Sequence, residues 1–467
     1  MIRLLLLSVL ILSGCATAPE RLDPRTASFS LQRFEVPRTE RFTLSNGMVV
    51  HLLTDHDLPL VSMTAYVRTG GVYDPDDRVG LADLVGTVMR SGGTTEIPAE
   101  KLDEELEFMA SSVESTVGSD VGTVTMTTLR KNLARTTDLF SQILISPAFR
   151  EDRLDLAKKR EIEGLRRQND DPRGIAEREL VRALYGGHPL GRYPTIEGIE
   201  RVTRSDLVSF HSRFFAPNGV ILAVSGDVER EELRFLLENY FGSWQRRELS
   251  LPEIPPPPAM VPPRVLYARK DVTQSVIRMG HPGIDKNNPD LYSLRVLDYI
   301  LGLGFTSRLM NEVRSNQGLA YHVEGYFDVG RRFAGLYRAG TETKSEATVR
   351  AVTLMKEIIG KVTTSPVTDQ ELSLAKDAII NSFVFGFAKS DAVATQRARL
   401  EYYGYPEGYL ENYRDRIAQV TKEDILAAAR RWLKPDLMTI VVVGNDGKFD
   451  APLSTIGEVT PLTLEIR

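Results

Sequence analysis

Two side chains with the chemistry to stabilise an oxyanion, Arg314 and Tyr321, lie seven residues apart in the sequence. The segment from Thr306 to Arg314 is typical of a short helix, and the aromatic, β-branched run from Leu319 to Phe327 is typical of a strand. The turn residues Asn316-Gln317-Gly318 separate them. A fixed guanidinium and a phenolic donor at one end of such a unit can stabilise charge on a carbonyl oxygen. Such pairs are more often structural, and spacing alone leaves both interpretations open.

No zinc-ligand spacing accompanies this pair. A catalytic zinc site needs three protein ligands, a polarised water and a base. The six histidines are scattered and none lies three or four residues from another: His51, His56, His188, His211, His281 and His322. The formal net charge of −5 gives no reason to expect nucleic acid as a partner.

The elements that position these residues belong to a duplicated chain. At 467 residues, with 42% apolar and 26% charged residues, the chain is typical of a soluble globular protein of more than one domain. Two segments recur at an offset of 218 (420 minus 202), which predicts two homologous domains rather than a solenoid. The matching pairs are 202–207 with 420–425, 154–158 with 372–376, Pro217 with Pro435, and Gly226 with Gly444.

Each half is predicted to be an α+β domain, with helices packed on a mixed β-sheet. In the first half, two strands (48–53 and 60–68) precede helices at 99–109 and 152–167. A helix that starts at Thr203 with Asp206 three residues later leads into the last strand. The proline-rich stretch from Pro252 to Pro263 separates the halves as an extended connector. We therefore expect domains at 39–250 and 265–467, joined by a linker at 251–264.

Residues 1–14 resemble a bacterial lipoprotein signal peptide. Arg3 precedes an apolar run that is too short to span a bilayer, and the run ends at Leu12-Ser13-Gly14-Cys15. In that signal the cysteine is acylated and becomes the first residue of the mature protein. Cys15 is the only cysteine of the chain, which excludes an internal disulfide. Because Ala16 follows it rather than aspartate, we expect an outer-membrane anchor in a Gram-negative bacterium, a tether at 15–38, and a periplasmic body.

A family resemblance becomes specific at Gly80-Leu81-Ala82-Asp83-Leu84-Val85-Gly86-Thr87. This segment resembles the insulinase/pitrilysin zinc peptidases (the inverzincins), in particular the short two-domain branch that includes mitochondrial processing peptidase. In that family Gly-Leu-Ala precedes a helical His-x-x-Glu-His, whose histidines bind zinc and whose glutamate is the general base. Here Asp83 and Thr87 stand at the histidine positions and Gly86 at the glutamate position. Alignment on Asn169-Asp170-Asp171-Pro172 puts the third-ligand position at Gly164, beside Glu163.

Loss of these residues predicts that the chain has no hydrolase activity of its own and binds no metal. Gly86 also weakens the helix by about 1 kcal/mol relative to alanine, which indicates that the helix is retained for packing.

The second half keeps a different part of the family's site. The run from Ser307 to Tyr321 closely matches the family segment in which an arginine and, seven residues later, a tyrosine hold the peptide backbone and stabilise the oxyanion. The resemblance assigns these roles to Arg314 and Tyr321, and it places Gly302 and Gly304 in a glycine-rich segment that handles substrate. It extends from about Glu40 to Val443. In the two-chain branch of the family, the zinc motif and the Arg/Tyr pair sit on different subunits.

Three hypotheses follow. The first is a non-catalytic subunit of a periplasmic heterodimeric metallopeptidase, which completes the active site of a homologous zinc-bearing partner and helps enclose unfolded peptides. The second is an inactive peptide-binding or assembly scaffold of the outer membrane, in which Arg314 and Tyr321 are structural. The third is an autonomous peptidase that binds zinc through carboxylates such as Asp83 and Glu163.

Overall fold

The computed structural model of the protein describes residues 34–464, which fold into two six-stranded mixed sheets packed with helices. This confirms the α+β prediction. The predicted lipidation site Cys15, the signal peptide and most of the tether lie outside the described residues. No helix within residues 34–464 combines the length and the apolar character needed to cross a membrane.

The first half begins with three strands rather than the two that the sequence predicts, because Glu40–Thr43 forms an edge strand on the second one. Its strands are β1 (Glu40–Thr43), β2 (Val49–Thr54), β3 (Leu60–Val67), β4 (Ser112–Val117), β5 (Gly122–Leu129) and β6 (Val220–Gly226). Its helices are α1 (Leu81–Ser91), α2 (Ala99–Phe108), α3 (Leu133–Ile145), α4 (Glu151–Arg167), α5 (Pro172–Tyr185), α6 (Ile196–Arg201), α7 (Arg204–Phe214) and α8 (Arg230–Phe241).

The second half repeats this pattern after residues 251–263, which contain neither helix nor strand. Its strands are β7 (Arg264–Arg269), β8 (Gln274–Pro282), β9 (Ala320–Asp328), β10 (Leu336–Lys344), β11 (Thr439–Gly444) and β12 (Val459–Pro461). Its helices are α9 (Leu291–Asp298), α10 (Thr348–Thr364), α11 (Asp369–Phe383), α12 (Ser390–Tyr402), α13 (Tyr409–Gln419) and α14 (Lys422–Trp432). Two π-helical segments, Tyr299–Leu303 and Met310–Asn316, lie between α9 and β9.

The two sheets have equivalent strand orders. The first is β1-β2-β6-β3-β5-β4 and the second is β12-β7-β11-β8-β10-β9, so β4 and β9 are the corresponding edge strands. In the first sheet, β6 runs parallel to β2 and antiparallel to β3. In the second sheet, β11 likewise runs parallel to β7 and antiparallel to β8.

Local contacts also repeat at the offset of 218. Thr203 and Asp206 form a reciprocal N-terminal cap on α7, and Thr421 and Asp424 form the same cap on α14. The Lys158 ammonium donates to the Glu200 carbonyl oxygen at 2.6 Å. In the second half, the Lys376 ammonium donates to the Ala418 carbonyl oxygen at 2.8 Å. These lysines fix α4 and α11 to the segments that precede α7 and α14.

The halves exchange one helix each. Helix α5 of the first half packs on the second sheet, where its buried Leu180 belongs to the same apolar cluster as Val441 and Val443 of β11. Helix α12 of the second half packs on the first sheet, where Ala394 and Ala398 belong to the same apolar cluster as Ile221 and Ala223 of β6. The two helices begin 218 residues apart (390 minus 172), so the exchange is itself part of the duplication.

Ion pairs fix each exchanged helix to its sheet. Arg173 of α5 donates from Nε to Glu342 Oε1 on β10 at 2.6 Å. Arg41 of β1 donates from Nη2 to Glu401 Oε1 on α12 at 2.8 Å, and His51 Nε2 lies 2.7 Å from the other oxygen of Glu401. The exchange buries one face of each sheet and joins the halves into one compact unit from Val36 onward.

Candidate functional site

The positions of the lost zinc motif lie on α1. Asp83 and Thr87 are exposed on one face of the helix, as residues four apart must be, whereas Gly86 is buried. The start of α1 is fixed by Asp74, which accepts hydrogen bonds from the Gly80 and Ala82 amides at 2.8 and 2.9 Å. Burial raises the pKa of Asp74 to about 6, against the opposing effect of these two hydrogen bonds.

Gly86 is required by the close packing of α1 on β4. A Cβ atom at this position would lie 2.3 Å from the Val117 amide nitrogen and 2.7 Å from the Thr116 carbonyl carbon. The Ser115 hydroxyl donates to the Gly86 carbonyl oxygen at 2.5 Å, which fixes the helix against the strand. The helix therefore serves packing, and it lies closer to β4 than any side chain at position 86 would permit.

The third-ligand position, Gly164, lies on an exposed turn of α4 and faces open space. Its neighbour Glu163 is exposed and forms an ion pair with Arg166. The carboxylate that faces Asp83 is instead Glu161, whose pKa is raised by burial and, to a smaller extent, by the charge of Asp83. Desolvation likewise raises the pKa of Asp83. The hypothesis that Asp83 and Glu163 form a metal site together is therefore wrong. Glu163 pairs with Arg166, and the carboxylate near Asp83 is Glu161.

Within residues 34–464, no group of three or more His, Cys, Asp or Glu side chains is placed to hold a metal ion. Asp83 and Glu161 supply two carboxylates without a histidine. The geometry of α1 and α4 offers no zinc centre among the described residues.

Arg314 and Tyr321 lie together, as their spacing suggests. Arg314 lies in the second π-helical segment, which forms most of the short helix that the sequence predicts, and Tyr321 is the second residue of β9. Gly318, with φ +60°, turns the chain between them. The Arg314 Cζ atom lies 4.6 Å from the centre of the Tyr321 ring and 5.4 Å from that of Phe305. The guanidinium is thus held by two rings through cation–π contacts.

This cluster is open to solvent. Tyr321 is 83% exposed and Phe305 is 76% exposed. The Arg314 guanidinium has no carboxylate partner among the residues that the structure describes. A cation without a counter-ion, beside an exposed phenol, is suited to bind a carbonyl oxygen or another oxyanion.

Gly302 and Gly304 shape the first π-helical segment. A Cβ atom on Gly302 would lie 2.2 Å from the Gly325 amide nitrogen on β9, and one on Gly304 would lie 2.7 Å from the Tyr299 carbonyl oxygen. Both glycines are buried, so close packing explains them. Their assignment to substrate binding stays a prediction. Leu303, which lies between the two glycines, and Phe305, which follows the second one, are exposed.

A buried carboxyl group fixes the strand that carries Tyr321. Asp298, the last residue of α9, is fully buried, and its Oδ1 accepts a hydrogen bond from the Phe327 amide of β9 at 2.9 Å. Its Oδ2 has no hydrogen-bond partner among the described residues, and the Arg295 Nη1 atom lies 3.8 Å away. Burial raises the pKa of Asp298 to about 7, against the smaller opposing effects of Arg295 and of the Phe327 hydrogen bond.

Sequence reasoning missed Phe305 and Asp298. Phe305 stands next to the glycine-rich segment, and its spacing of nine residues to Arg314 follows no helical period. Asp298 lies between apolar residues, with Val296 and Leu297 before it and Tyr299, Ile300 and Leu301 after it. A single carboxylate in such a run indicates a buried polar side chain.

Comparisons with known proteins agree on the family. Residues 49–195 match the family "Insulinase (Peptidase family M16)", and residues 201–379 match "Peptidase M16 inactive domain". An uncharacterized zinc protease of Mycobacterium leprae is 26% identical over 75% of this chain and 83% of its own length. A non-peptidase homolog of Helicobacter pylori is 24% identical over 84% of this chain and 91% of its own length.

The fold agrees with a solved structure as well. The crystal structure of a peptidase M16 inactive domain from Pseudomonas fluorescens superposes with a TM-score of 0.79 at 23% identity. The superposition covers 87% of this chain and 98% of that one. At this identity the match concerns the two-sheet architecture alone.

The packing of Gly86 leads to a test with a matched control. Gly86→Ala should lower the free energy of unfolding by about 1–3 kcal/mol, because the added Cβ overlaps the β4 backbone and outweighs the gain in helix propensity. Gly164→Ala, the same change inside α4 where no atom lies within 4 Å, should raise it by about 0.5–1 kcal/mol. Urea unfolding followed by circular dichroism measures both, and equal stability of the two variants would contradict the packing role.

Asp298 makes folding stability depend on pH. Its folded pKa of about 7 exceeds the ordinary value of 3.8, so the folded state binds the proton more tightly than the unfolded state does. Its contribution to stability is therefore complete below about pH 4 and is lost as pH rises to about 7, by up to about 1.4 kcal/mol per pH unit.

Asp298→Asn removes this titration while keeping an oxygen for the Phe327 amide. Melting temperatures measured from pH 5 to pH 8 should therefore fall less steeply for Asp298→Asn than for the unchanged protein. Asp436→Asn, at an exposed position of the same half, provides the control for a change of charge alone. Parallel pH profiles of the unchanged protein and Asp298→Asn would show that Asp298 is ionised in the folded state throughout.

Proposed function

Because this chain belongs to the insulinase (peptidase M16) family and is an inactive-type member of it, we propose that it is the non-catalytic subunit of a heterodimeric zinc metallopeptidase. It would supply Arg314 and Tyr321 to the active site of a homologous zinc-bearing partner. The observation that carries the proposal is the pairing of the half-buried Arg314 with the exposed Tyr321. The Arg314 guanidinium has no carboxylate partner within the described chain, and the same chain lacks all the zinc-motif residues.

The chemistry of the pair supports a role in trans. Peptide hydrolysis at zinc places negative charge on the scissile carbonyl oxygen in the transition state. A guanidinium that is already held by two rings loses little further conformational entropy when it binds that oxygen. The exposed phenol can donate a second hydrogen bond. Zinc, its water and the general base would come from the partner, and this chain would bind no metal.

The retained packing supports the same proposal. Helix α1 keeps its cap from Asp74 and its close contact with β4, although it no longer carries zinc ligands. A subunit that pairs with a homologous partner needs the shape of this domain more than its chemistry. The scaffold hypothesis also fits this packing, but it leaves the exposed Tyr321 and the cation–π pair that it forms with Arg314 without a role.

Activity of a reconstituted complex tests the proposal. The chain purified alone should not hydrolyse an unfolded peptide and should not retain zinc. The complex with its zinc-bearing partner should hydrolyse the peptide and retain zinc. Arg314→Ala and Tyr321→Phe should each lower kcat/KM of the complex by about 10²-fold, as removal of an oxyanion donor does. Arg213→Ala, which removes an exposed arginine 5.2 Å from the Phe214 ring, is the matched control and should leave activity unchanged.

Two outcomes would decide against this function. Full activity of Arg314→Ala in a complex of verified composition would remove the catalytic role of the pair. Peptide affinity without hydrolysis in any complex would favour the alternative, an inactive peptide-binding or assembly scaffold.

We further propose that the protein is anchored by a lipid on Cys15 and lies in the periplasm, at the outer membrane. The support is the sequence Leu12-Ser13-Gly14-Cys15 after a short apolar run. Acylation should move the mature chain into the detergent phase of a Triton X-114 extraction, and Cys15→Ser should prevent this. Recovery of the unchanged protein in the aqueous phase would contradict the anchor.

A further inference from the structure

A cavity of about 250 Å³ lies where three parts of the chain meet. From the first half comes Arg68, which directly follows β3, and from the proline-rich linker comes its first residue, Leu251. From the second half come Arg332, in the connection between β9 and β10, and Tyr402 and Tyr403 at the end of the exchanged helix α12. The cavity therefore depends on the helix exchange, because both halves supply its wall.

Two guanidinium groups in this wall have no carboxylate partner. Arg68 is exposed, and its side chain forms no hydrogen bond or ion pair with any described residue. Arg332 donates to the Tyr73 hydroxyl and lies 5.2 Å from the centre of the Tyr73 ring, and it too forms no ion pair within residues 34–464. Burial above all raises the pKa of the Tyr402 phenol, and the charges of Arg332 and Arg68 oppose this effect. The two cations therefore lie near the same hydroxyl group.

Further cations lie beside the cavity. The Arg331 Cζ atom lies 5.5 Å from the centre of the Tyr403 ring, and the Lys286 ammonium lies 5.5 Å from that of Tyr405. Neither cation forms an ion pair with a carboxylate of the described chain. Because the formal net charge of the whole chain is −5, this excess of positive charge is a local feature.

The carboxylates nearest to the cavity have other partners. Glu401 lies in the wall, but its oxygens accept hydrogen bonds from Arg41 at 2.8 and 2.9 Å, and one of them lies 2.7 Å from His51 Nε2. The Asp120 Oδ1 atom accepts a hydrogen bond from the Tyr403 hydroxyl at 3.1 Å. The two guanidinium groups in the wall therefore keep N–H donors for an oxyanion from outside the chain.

The loop that carries Arg332 is fixed before any ligand arrives. The Ile284 carbonyl oxygen accepts hydrogen bonds from both ends of the loop, from the Gly330 amide at 3.0 Å and from the Gly335 amide at 2.9 Å. The contact with Tyr73 then orients the guanidinium itself. A site that is ordered in advance loses less conformational entropy when its ligand binds.

The shape and chemistry of the wall select the ligand. A guanidinium group presents a planar fork of N–H donors, which matches the two oxygens of a carboxylate. The half-buried Leu251 and the rings of Tyr402 and Tyr403 add apolar surface to the same cavity. A carboxylate on a short aliphatic stem fits both parts of the wall, and a glutamate side chain has this structure.

We propose that this cavity binds the glutamate side chain of an unfolded peptide, with its carboxylate between Arg68 and Arg332 and its methylene groups on Leu251. This inference rests on the proposed function and adds a preference for acidic peptides.

Binding of matched peptides to the purified full chain tests the cavity without the partner. The probes are two rhodamine-labelled twelve-residue peptides of Gly and Ser with amidated C-termini, one with a single central Glu and the other with Gln in its place. Fluorescence anisotropy should show that the unchanged protein binds the Glu peptide about tenfold more tightly in low salt, as charge-assisted hydrogen bonds imply. The preference should fall as the ionic strength rises from about 0.05 to 0.5 M, because salt screens charges that are open to solvent.

Variants of the two arginines identify the site. Arg68→Gln and Arg332→Gln should each abolish the preference for Glu, and Arg332→Lys, which keeps the charge without the planar fork, should keep part of it. The control is Arg264→Gln, which removes the same charge at an exposed residue of β7 outside the cavity wall and should leave the tenfold preference unchanged. Melting temperatures should show that all variants are folded.

Three results would overturn the inference. The first is equal affinity of the unchanged protein for the two peptides, and the second is an unaltered preference in both Arg68→Gln and Arg332→Gln. The third is binding of inorganic phosphate, measured by isothermal titration calorimetry, without any preference for Glu over Gln, since this would identify a site for a free anion only.

These outcomes are separable from those of the proposed function. A preference for Glu that Arg68→Gln removes, together with full activity of the Arg314→Ala complex, would leave the cavity as a peptide site and remove the catalytic role. The absence of any preference for Glu, together with an inactive Arg314→Ala complex, would leave the catalytic role and remove the peptide site.

Discussion

The exchange of α5 and α12 between the two halves is the contact on which the rest of the structure depends. Each sheet has two apolar faces, because the side chains of its central strands alternate between them. In β6, Leu222 and Val224 face the helices of the same half, whereas Ile221 and Ala223 face α12 from the other half. Without the exchanged helix this second face would be exposed to solvent. Neither half therefore buries both faces of its sheet with its own helices. The edge strands, and the helices that cross them, are held in register by this shared core.

Much of this could be predicted from the sequence, and the remainder has physical reasons. The offset of 218, the two mixed sheets and the caps at Thr203 and Thr421 follow from local patterns that the fold preserves. The exchange of helices could not be predicted, because the apolar stripe of α5 shows that it is buried but not which sheet buries it. The reason for Gly86 was equally hidden, since a glycine in a helix indicates weak propensity, whereas the structure shows a contact with β4 that excludes a side chain.

The candidate site shows how a duplicated scaffold divides its chemistry. Gly86 brings α1 against the edge strand β4 in the first half, and Gly302 brings the first π-helical segment against the edge strand β9 in the second. In the second half, Arg314 is a cation without a carboxylate partner among the described residues. Its position depends on short-range geometry: the turn at Gly318, the π-helical segment, and the bond from the Phe327 amide to Asp298. The chemistry of the pair is therefore placed by the second half alone, whereas the stability of that half depends on the first.

The helix exchange also bears on how such a chain can arise and be divided. A single half with this arrangement would bury both faces of its sheet only by pairing with a second copy and exchanging helices about a two-fold axis. The fused chain keeps that symmetry internally, and the proline-rich linker at 251–263 only has to connect two halves that the exchanged helices already hold together. Cutting the backbone in this linker would leave two fragments that each carry a helix of the other's core. The covalent connection therefore sets the stoichiometry of the two halves, since it guarantees one first half for every second half, and it is not the source of the fold.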